Sequence, residues 1–266
     1  MSWFKKIALV ASAIYFLLCF GLYFFQEKLL FHPPKLPSDF QFSFAQPFEE
    51  SYLTLKDGSI INLVKIQAEG KSKGIVLFFH GNAGDISRIG WIAKNFTSRG
   101  YDCLIMDYPK YGKSTGRLTE DNLYETASVC FKEVRKTYSP QRIVLYGRSL
   151  GTGVAAHLAR EVTWCQCLIL EAPYNSIVDV AANTYWMFPV RWLCRYKFMT
   201  QVFLKDVQCP VYAIHGSLDK VIPVTVAKKL EALHLKNFQL TVVPGGGHAN
   251  LPSYPQYANL LNKALE

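Results

Sequence analysis

The chain is 266 residues long, 50% apolar and only 18% charged, with 29 Lys and Arg against 20 Asp and Glu for a net charge of +9. This aliphatic and aromatic content excludes a disordered chain, and the length suits one large domain rather than two. The positive balance suits solubility and attraction to an anionic membrane, and without a basic stripe or recognisable motif it argues against a nucleic-acid binder.

The first element is a predicted membrane span. Ile7 to Phe25 is 19 residues without a charge, about the length that crosses a bilayer core. The run exceeds the apolar region of a signal peptide, and Tyr23-Phe24-Phe25 closes it where cleavage would need small residues. Leu18 stands before Cys19, where a bacterial lipobox would want a small residue. Residues 1–30 are therefore read as a single-pass anchor (span about 7–25), and 31–266 as the working domain; the competing reading of the run is a buried core helix. Lys5 and Lys6 precede it, while Lys28 and Lys35 follow, offset by Glu27 and Asp39. That bias puts the amino terminus in the cytoplasm and the domain on the non-cytoplasmic side. The seven cysteines point the other way, to a reducing compartment. Their odd number and spacing give neither a disulfide framework nor a metal site.

His32-Pro-Pro-Lys-Leu-Pro37 reads as a stiff connector leading away from the membrane. Ser51–Leu55 and Ile60–Ile66 flank Lys56-Asp57-Gly58, a hairpin signal. From Gly74 onward, short apolar runs (Ile75–Phe79, Cys103–Met106, Ile143–Tyr146, Cys167–Leu170, Val211–Ile214, Gln239–Val243) alternate with longer helical patterns. Continuous apolar strands separated by helices predict a mostly parallel sheet covered on both faces. Between the fourth and fifth runs, residues 175–208 break this rhythm with Tyr185, Trp186, Met187, Phe188, Trp192, Tyr196, Phe198 and Phe203. Exposed alone, such a patch would be an aggregation hazard. It is expected to pack on the core or to cap a site at the carboxyl ends of the strands.

Gly147-Arg148-Ser149-Leu150-Gly151 follows one predicted strand and opens a helical run from Thr152 to Glu161. This is G-x-S-x-G in strand–turn–helix context, where small neighbours allow a strained turn to raise the Ser hydroxyl above the sheet. His80-Gly81-Asn82 ends another strand, where a backbone N–H can help bind an oxyanion. Asp219 lies just past the strand tip at His215, and Gly245-Gly246-Gly247-His248 follows the last strand. The order Ser149, Asp219, His248 is that of nucleophile, acid and base in the α/β-hydrolase fold. All three belong to the sheet edge where parallel sheets build their sites. Glu171, after its own strand, is the chief rival for the acid, ahead of Asp179 and Asp206. His80 reads as a residue orienting the oxyanion loop, His215 as a hydrogen-bonded residue at a strand end, and His157 and His234 as helix-surface residues. Gly112-Lys113-Ser114-Thr115 echoes a phosphate-binding loop, but Asp107 occupies the position of the first Gly and the match fails.

The stretches LFFHGNAGD, MDYPKYGKSTG, LYGRSLGTGVA, LEAPYNSI, IHGSLDKVIP and PGGGHAN, with the amino-terminal span, resemble the membrane-anchored α/β-hydrolase-domain serine hydrolases related to the bud-emergence proteins. The resemblance covers nearly the whole chain. It implies an α/β-hydrolase fold, a triad of Ser149, Asp219 and His248, and hydrolysis of acyl esters or thioesters without a cofactor or metal. The backbone N–H groups of Asn82 and Leu150 are expected to form the oxyanion hole. The anchor, the aromatic excursion and the basic surface suit a substrate presented at a bilayer. Two alternatives remain at this point: a serine peptidase of the same fold, or a catalytically silent membrane-tethered interaction protein.

Overall fold

A computed structural model describes residues 3–266. Helix α1 (Trp3–Leu30) is a single 28-residue helix extending past the uncharged run at both ends. Only Cys19 and Gln26 in it are buried against the rest of the chain, so it is not a core helix. Leu9, Phe16, Leu17 and Phe24 are all exposed, and by length and composition α1 suffices to cross a membrane.

The Pro-rich segment after α1 does not lead the chain away, contrary to expectation. Phe31 is buried with its ring against Tyr196, at 4.8 Å between centroids. The Leu36 N–H donates to Gly112 O (3.1 Å) and the Gly112 N–H to Pro34 O (2.8 Å). Phe42 is buried further on. Burial of these rings favours a strap along the domain over a solvated spacer.

The strands are β1 (Phe48–Thr54), β2 (Ile60–Ile66), β3 (Gly74–Phe79), β4 (Tyr101–Met106), β5 (Ile143–Arg148), β6 (Cys167–Glu171), β7 (Val211–Gly216) and β8 (Phe238–Val243). Between them run α2 (Ile86–Ile89), α3 (Lys94–Thr97), α4 (Glu120–Val134), α5 (Leu150–Glu161), α6 (Ile177–Thr184), α7 (Val190–Leu193), α8 (Thr200–Phe203) and α9 (Val224–Glu231), with α10 (Pro255–Leu265) last. One sheet in the order β1-β2-β4-β3-β5-β6-β7-β8 joins all the strands. The β1–β2 hairpin forms as expected and is antiparallel; β2 also runs antiparallel to β4, and every later pairing is parallel.

Period-two geometry divides the fully buried β3 between two cores. Ile75, Leu77 and Phe79 face a cluster with Leu123 and Ala127 of α4 and Val154 and Leu158 of α5. Val76 and Phe78 face a second cluster with Phe96, Tyr257 and Leu261 of the opposite layer. This is the α/β-hydrolase fold, with helices on both faces of a mostly parallel sheet. All seven cysteines are buried and unpaired, although the Cys165 and Cys209 sulfurs lie 3.0 Å apart.

The excursion at 175–208 packs on the core with one set of its aromatic side chains and leaves another set exposed. Tyr196, Phe198 and Phe203 join the first core, whereas Trp186, Met187 and Trp192 are 77%, 64% and 87% exposed. His157 is not a surface residue as expected. Its ring stacks on Tyr124 with centroids 3.7 Å apart, and burial pushes its pKa down. His234 is exposed but lies past the end of α9 rather than on it.

Candidate active site

The turn from β5 into α5 requires small residues because the backbone doubles back on itself. A Cβ on Gly147 would fall 2.4 Å from Gly151 O, and one on Gly151 would fall 2.1 Å from Phe79 O. The helix therefore starts flush against the end of β3. Ser149 at the apex has φ 51° and ψ −118°, a conformation non-glycine residues rarely adopt. Its own N–H donates to Glu171 O (2.8 Å) and its carbonyl accepts from the Thr152 N–H (2.9 Å), so hydrogen bonds on both sides hold the strained turn.

Three side chains from three strand ends meet here. His248 Nε2 lies 3.0 Å from Ser149 Oγ, and His248 Nδ1 lies 2.7 Å from Asp219 Oδ2. That pairing fixes the tautomer: Nδ1–H donates to the carboxylate, leaving the Nε2 lone pair for the Ser hydroxyl. Asp219 Oδ1 accepts from the N–H groups of Val221 (2.8 Å) and Ile222 (2.9 Å). Burial pushes the Asp219 carboxyl pKa up, but hydrogen bonding from His215, His248 and the Ile222 N–H outweighs burial and holds it well below the usual range. His215 sits at the strand end as expected, with Nε2 2.8 Å from Ile222 O and 3.3 Å from Asp219 Oδ2.

The loops bearing acid and base are tied to each other. The Leu218 N–H donates to Gly246 O (2.8 Å) and the Gly245 N–H to Ser217 Oγ (2.9 Å). The rival acids are elsewhere engaged. Asp179 accepts from Asn175, Ser176 and Arg191, and Asp206 makes no side-chain contact with His248. Glu171 is fully buried, accepting from Tyr146 Oη (2.6 Å) and lying 3.3 Å from Arg148 Nε. Burial pushes its pKa up, opposed by Arg148, Tyr146 and His248.

Both expected oxyanion donors border this cluster. Leu150 opens α5, and neither its N–H nor that of Asn82 has a protein acceptor among the described residues. A Cβ on Gly81 would lie 3.3 Å from Ser149 Cβ, so the loop carrying Asn82 passes directly beside the hydroxyl. His80 orients that loop: its Nδ1 lies 2.7 Å from Gly81 O, and its ring packs on Tyr108 and Tyr111. Burial pushes the His80 pKa down to about 4 against the opposing pull of Gly81 O and Asp85, so the ring is neutral at pH 7. In the failed phosphate-loop echo, Ser114 Oγ donates to Asp107 O (2.8 Å) and accepts from the Asn62 N–H (2.8 Å), a structural use. Among the described residues no group of three or more His, Cys, Asp or Glu is arranged to hold a metal ion.

Two features escape the sequence pattern. Arg148 bridges Glu171 and the carbonyl of Ala249 (Nη2–O 3.0 Å), which follows His248 directly. The Asn82 side chain reaches the end of α1: its Nδ2 donates to Leu30 O (2.6 Å), and its Oδ1 accepts from the His32 N–H (3.1 Å) and Tyr111 Oη (2.9 Å).

Comparison with known proteins agrees with this architecture. A family model described as alpha/beta hydrolase fold matches residues 74–201, a stretch that includes Ser149 but ends before Asp219 and His248. A putative alpha/beta hydrolase of Acanthamoeba polyphaga mimivirus is 28% identical over 233 residues, which are 85% of this chain and 87% of that one. The lysophosphatidylserine lipase ABHD12 of Danio rerio is 27% identical over 225 residues, covering 73% of this chain and 58% of the relative's length. Among solved structures, an esterase of Pyrococcus furiosus superposes with TM-score 0.72 at 16% identity, covering 89% of this chain and 96% of the other. An alpha-beta hydrolase of Vibrio vulnificus superposes with TM-score 0.69 at 21% identity, over 82% and 81% of the two chains.

Proposed function

We propose that this chain, an α/β hydrolase, is a membrane-anchored serine hydrolase that cleaves an acyl ester or thioester through an acyl-enzyme. The observation that carries the reading is the hydrogen-bonded series from Ser149 Oγ through His248 to Asp219, at 3.0 and 2.7 Å. Nucleophile, base and orienting acid within hydrogen-bond reach are the arrangement that activates a hydroxyl at neutral pH. Similarity to a lipase and to esterases supports an ester-type substrate. The exposed, apolar α1 supports anchoring, with residues 1–30 as the anchor and the catalytic domain beyond them. The Lys5 and Lys6 pair favours an amino terminus in the cytoplasm and a domain on the other side, while the seven unpaired cysteines favour a reducing compartment.

In this mechanism Ser149 Oγ attacks the acyl carbonyl carbon as its proton passes to His248 Nε2. The N–H groups of Asn82 and Leu150 receive the charge developing on the carbonyl oxygen. As the tetrahedral species collapses, His248 returns the proton to the leaving alcohol or thiol, and the acyl group stays on Ser149. A water molecule, deprotonated by His248, attacks the acyl-enzyme. Collapse releases the carboxylic acid, and the proton returns to Ser149. Asp219 stabilises the imidazolium in both halves.

Activity-based labelling tests this directly. A fluorophosphonate probe is expected to label the wild-type protein in membranes and to leave Ser149→Ala unlabelled. Folded wild-type protein that resists the probe, or labelling that survives the substitution, would sink the proposal.

A further inference from the structure

The cap and α1 meet at a depth that a peripheral cap would not reach. Tyr15 Oη donates to Met187 O (3.1 Å), and the Tyr15 ring stacks on Phe188 at 5.6 Å between centroids. Tyr15 lies ten residues, about 15 Å of helix, before Phe25 at the end of the uncharged run. That is close to the middle of a hydrocarbon core about 30 Å thick. If α1 spans the bilayer, the tip of the cap lies in it too. The surface chemistry of the cap agrees with that depth. Trp186, Met187 and Trp192 at the tip are exposed apolar side chains. The cations of the junction lie a few turns higher, with Arg195 over the Tyr23 ring (5.5 Å), Lys28 over the Phe25 ring (5.8 Å) and Lys110 paired to Glu27 (2.5 Å). A tip of mainly apolar side chains, its one exposed cation Arg191 paired to Asp179 (3.2 Å), and basic side chains level with the end of the span match the layering a bilayer imposes. Tyr15 also satisfies the Met187 carbonyl where no water would reach it.

Between α1 and the cap runs a groove lined by Leu22, Leu29, Ala181, Tyr185, Val190 and Leu193. Gln26, which also lines it, is already engaged: Nε2 donates to Tyr23 O (2.8 Å) and Leu193 O (3.2 Å), and Oε1 accepts from the Arg195 N–H (2.7 Å). The groove therefore offers mainly apolar surface. Leu30 also lines it, and the Leu30 carbonyl is held by Asn82 of the oxyanion loop.

We infer that this groove is the acyl-chain site, and that the chain enters it sideways from the bilayer, between α1 and the immersed cap tip, with its carbonyl leading toward Ser149. The inference rests on the serine-hydrolase reading and goes beyond it by assigning the occupant a long hydrocarbon chain and by making α1 part of the substrate site. The full-length protein in phosphatidylcholine nanodiscs tests it, with 4-carbon and 16-carbon p-nitrophenyl esters as substrates. Leu29→Trp and Ala181→Phe narrow the groove from its two walls, and because Leu29 is 45% exposed its replacement overpacks no core. In each variant the ratio of 16-carbon to 4-carbon kcat/KM is expected to fall at least tenfold. A ratio within twofold of wild type, in variants that still take a fluorophosphonate label, overturns the groove assignment while leaving the hydrolase reading intact. Wild type that neither labels nor turns over either ester overturns the hydrolase reading instead. Cap depth is read without any groove substitution, by quenching of Trp fluorescence with lipids brominated near the acyl-chain middle. Quenching that shrinks in a Trp186→Phe, Trp192→Phe double variant is expected, and quenching that is unchanged in it overturns the lateral route.

Discussion

Ser149 keeps its positive-φ backbone because Gly147 and Gly151, two residues to either side, carry no side chain to block the turn. Gly151→Ala places a methyl group 2.1 Å from the Phe79 carbonyl oxygen, and backbone on both sides cannot yield cheaply. It is expected to destabilise the protein by about 2–4 kcal/mol, read as a lowered thermal midpoint with labelling lost in proportion. Asp219→Asn acts differently: the fold is retained and the His248 tautomer is no longer enforced. Turnover is expected to fall by about 10³–10⁴ with little change in KM, and a loss under tenfold would remove Asp219 from the role of acid. His80 sets an acid limit. Its folded pKa of about 4 lies below the ordinary 6.5, so on acidification the unfolded chain takes up a proton first. Stability is expected to decline as pH falls from about 6.5 to about 4, by roughly 3 kcal/mol in all. His80→Gln should flatten that slope, and the comparison of thermal midpoints across this window checks it. Ser149, Asp219 and His248 were legible because each follows an apolar run inside a glycine-bearing motif. Arg148 was not: it fills a variable position of its motif, and its partner Ala249 lies 101 residues away in sequence. Likewise Glu171 was legible as a carboxylate at a strand end, but only burial and its Tyr146 and Arg148 contacts show that it faces away from the acid's task.

Among the elements, the six parallel strands and β2 could be read from sequence within two residues, and β1 with a start three residues late, because buried parallel strands are continuous apolar runs and hairpins are marked by their turns. That the His32–Pro37 connector packs along the domain was not legible, since proline content reports backbone stiffness and says nothing of where Phe31 and Phe42 will be buried. The docking of α1 on the cap was also hidden: a span uniform in hydrophobicity does not reveal which face meets protein. Asn82 is where this docking reaches the site. Its amide side chain holds Leu30 and the His32 N–H, while its own N–H is the proposed oxyanion donor. Asn82→Ala keeps the donor and removes the tether. A fall in kcat on the order of 10- to 100-fold is expected from misplacing that loop, with a much smaller change in fluorophosphonate labelling of a protein that remains folded. Unchanged kcat would show that the loop holds its position without α1.

The whole molecule is an α/β-hydrolase fold whose packing continues from the domain onto α1. Deleting residues 1–30 exposes Ala181, Tyr185 and Leu193 together with the apolar cap tip. The truncated domain is expected to self-associate unless detergent is present, and a monomeric elution profile in plain buffer would contradict the packing described. The continuity of α1 has a mechanical consequence. One helix, unbroken from Trp3 to Leu30, is clamped at its far end by Asn82. A rod in a membrane adjusts its tilt to the thickness of the hydrocarbon around it, leaning in thin bilayers and standing upright in thick ones. With α1 as the proposed anchor, its tilt is expected to bear on the loop beside Ser149 through the Asn82–Leu30 hydrogen bond. Turnover of a water-soluble ester, which needs no access through lipid, should therefore differ between nanodiscs of short-chain and long-chain phosphatidylcholine, making the protein a gauge of the membrane that holds it.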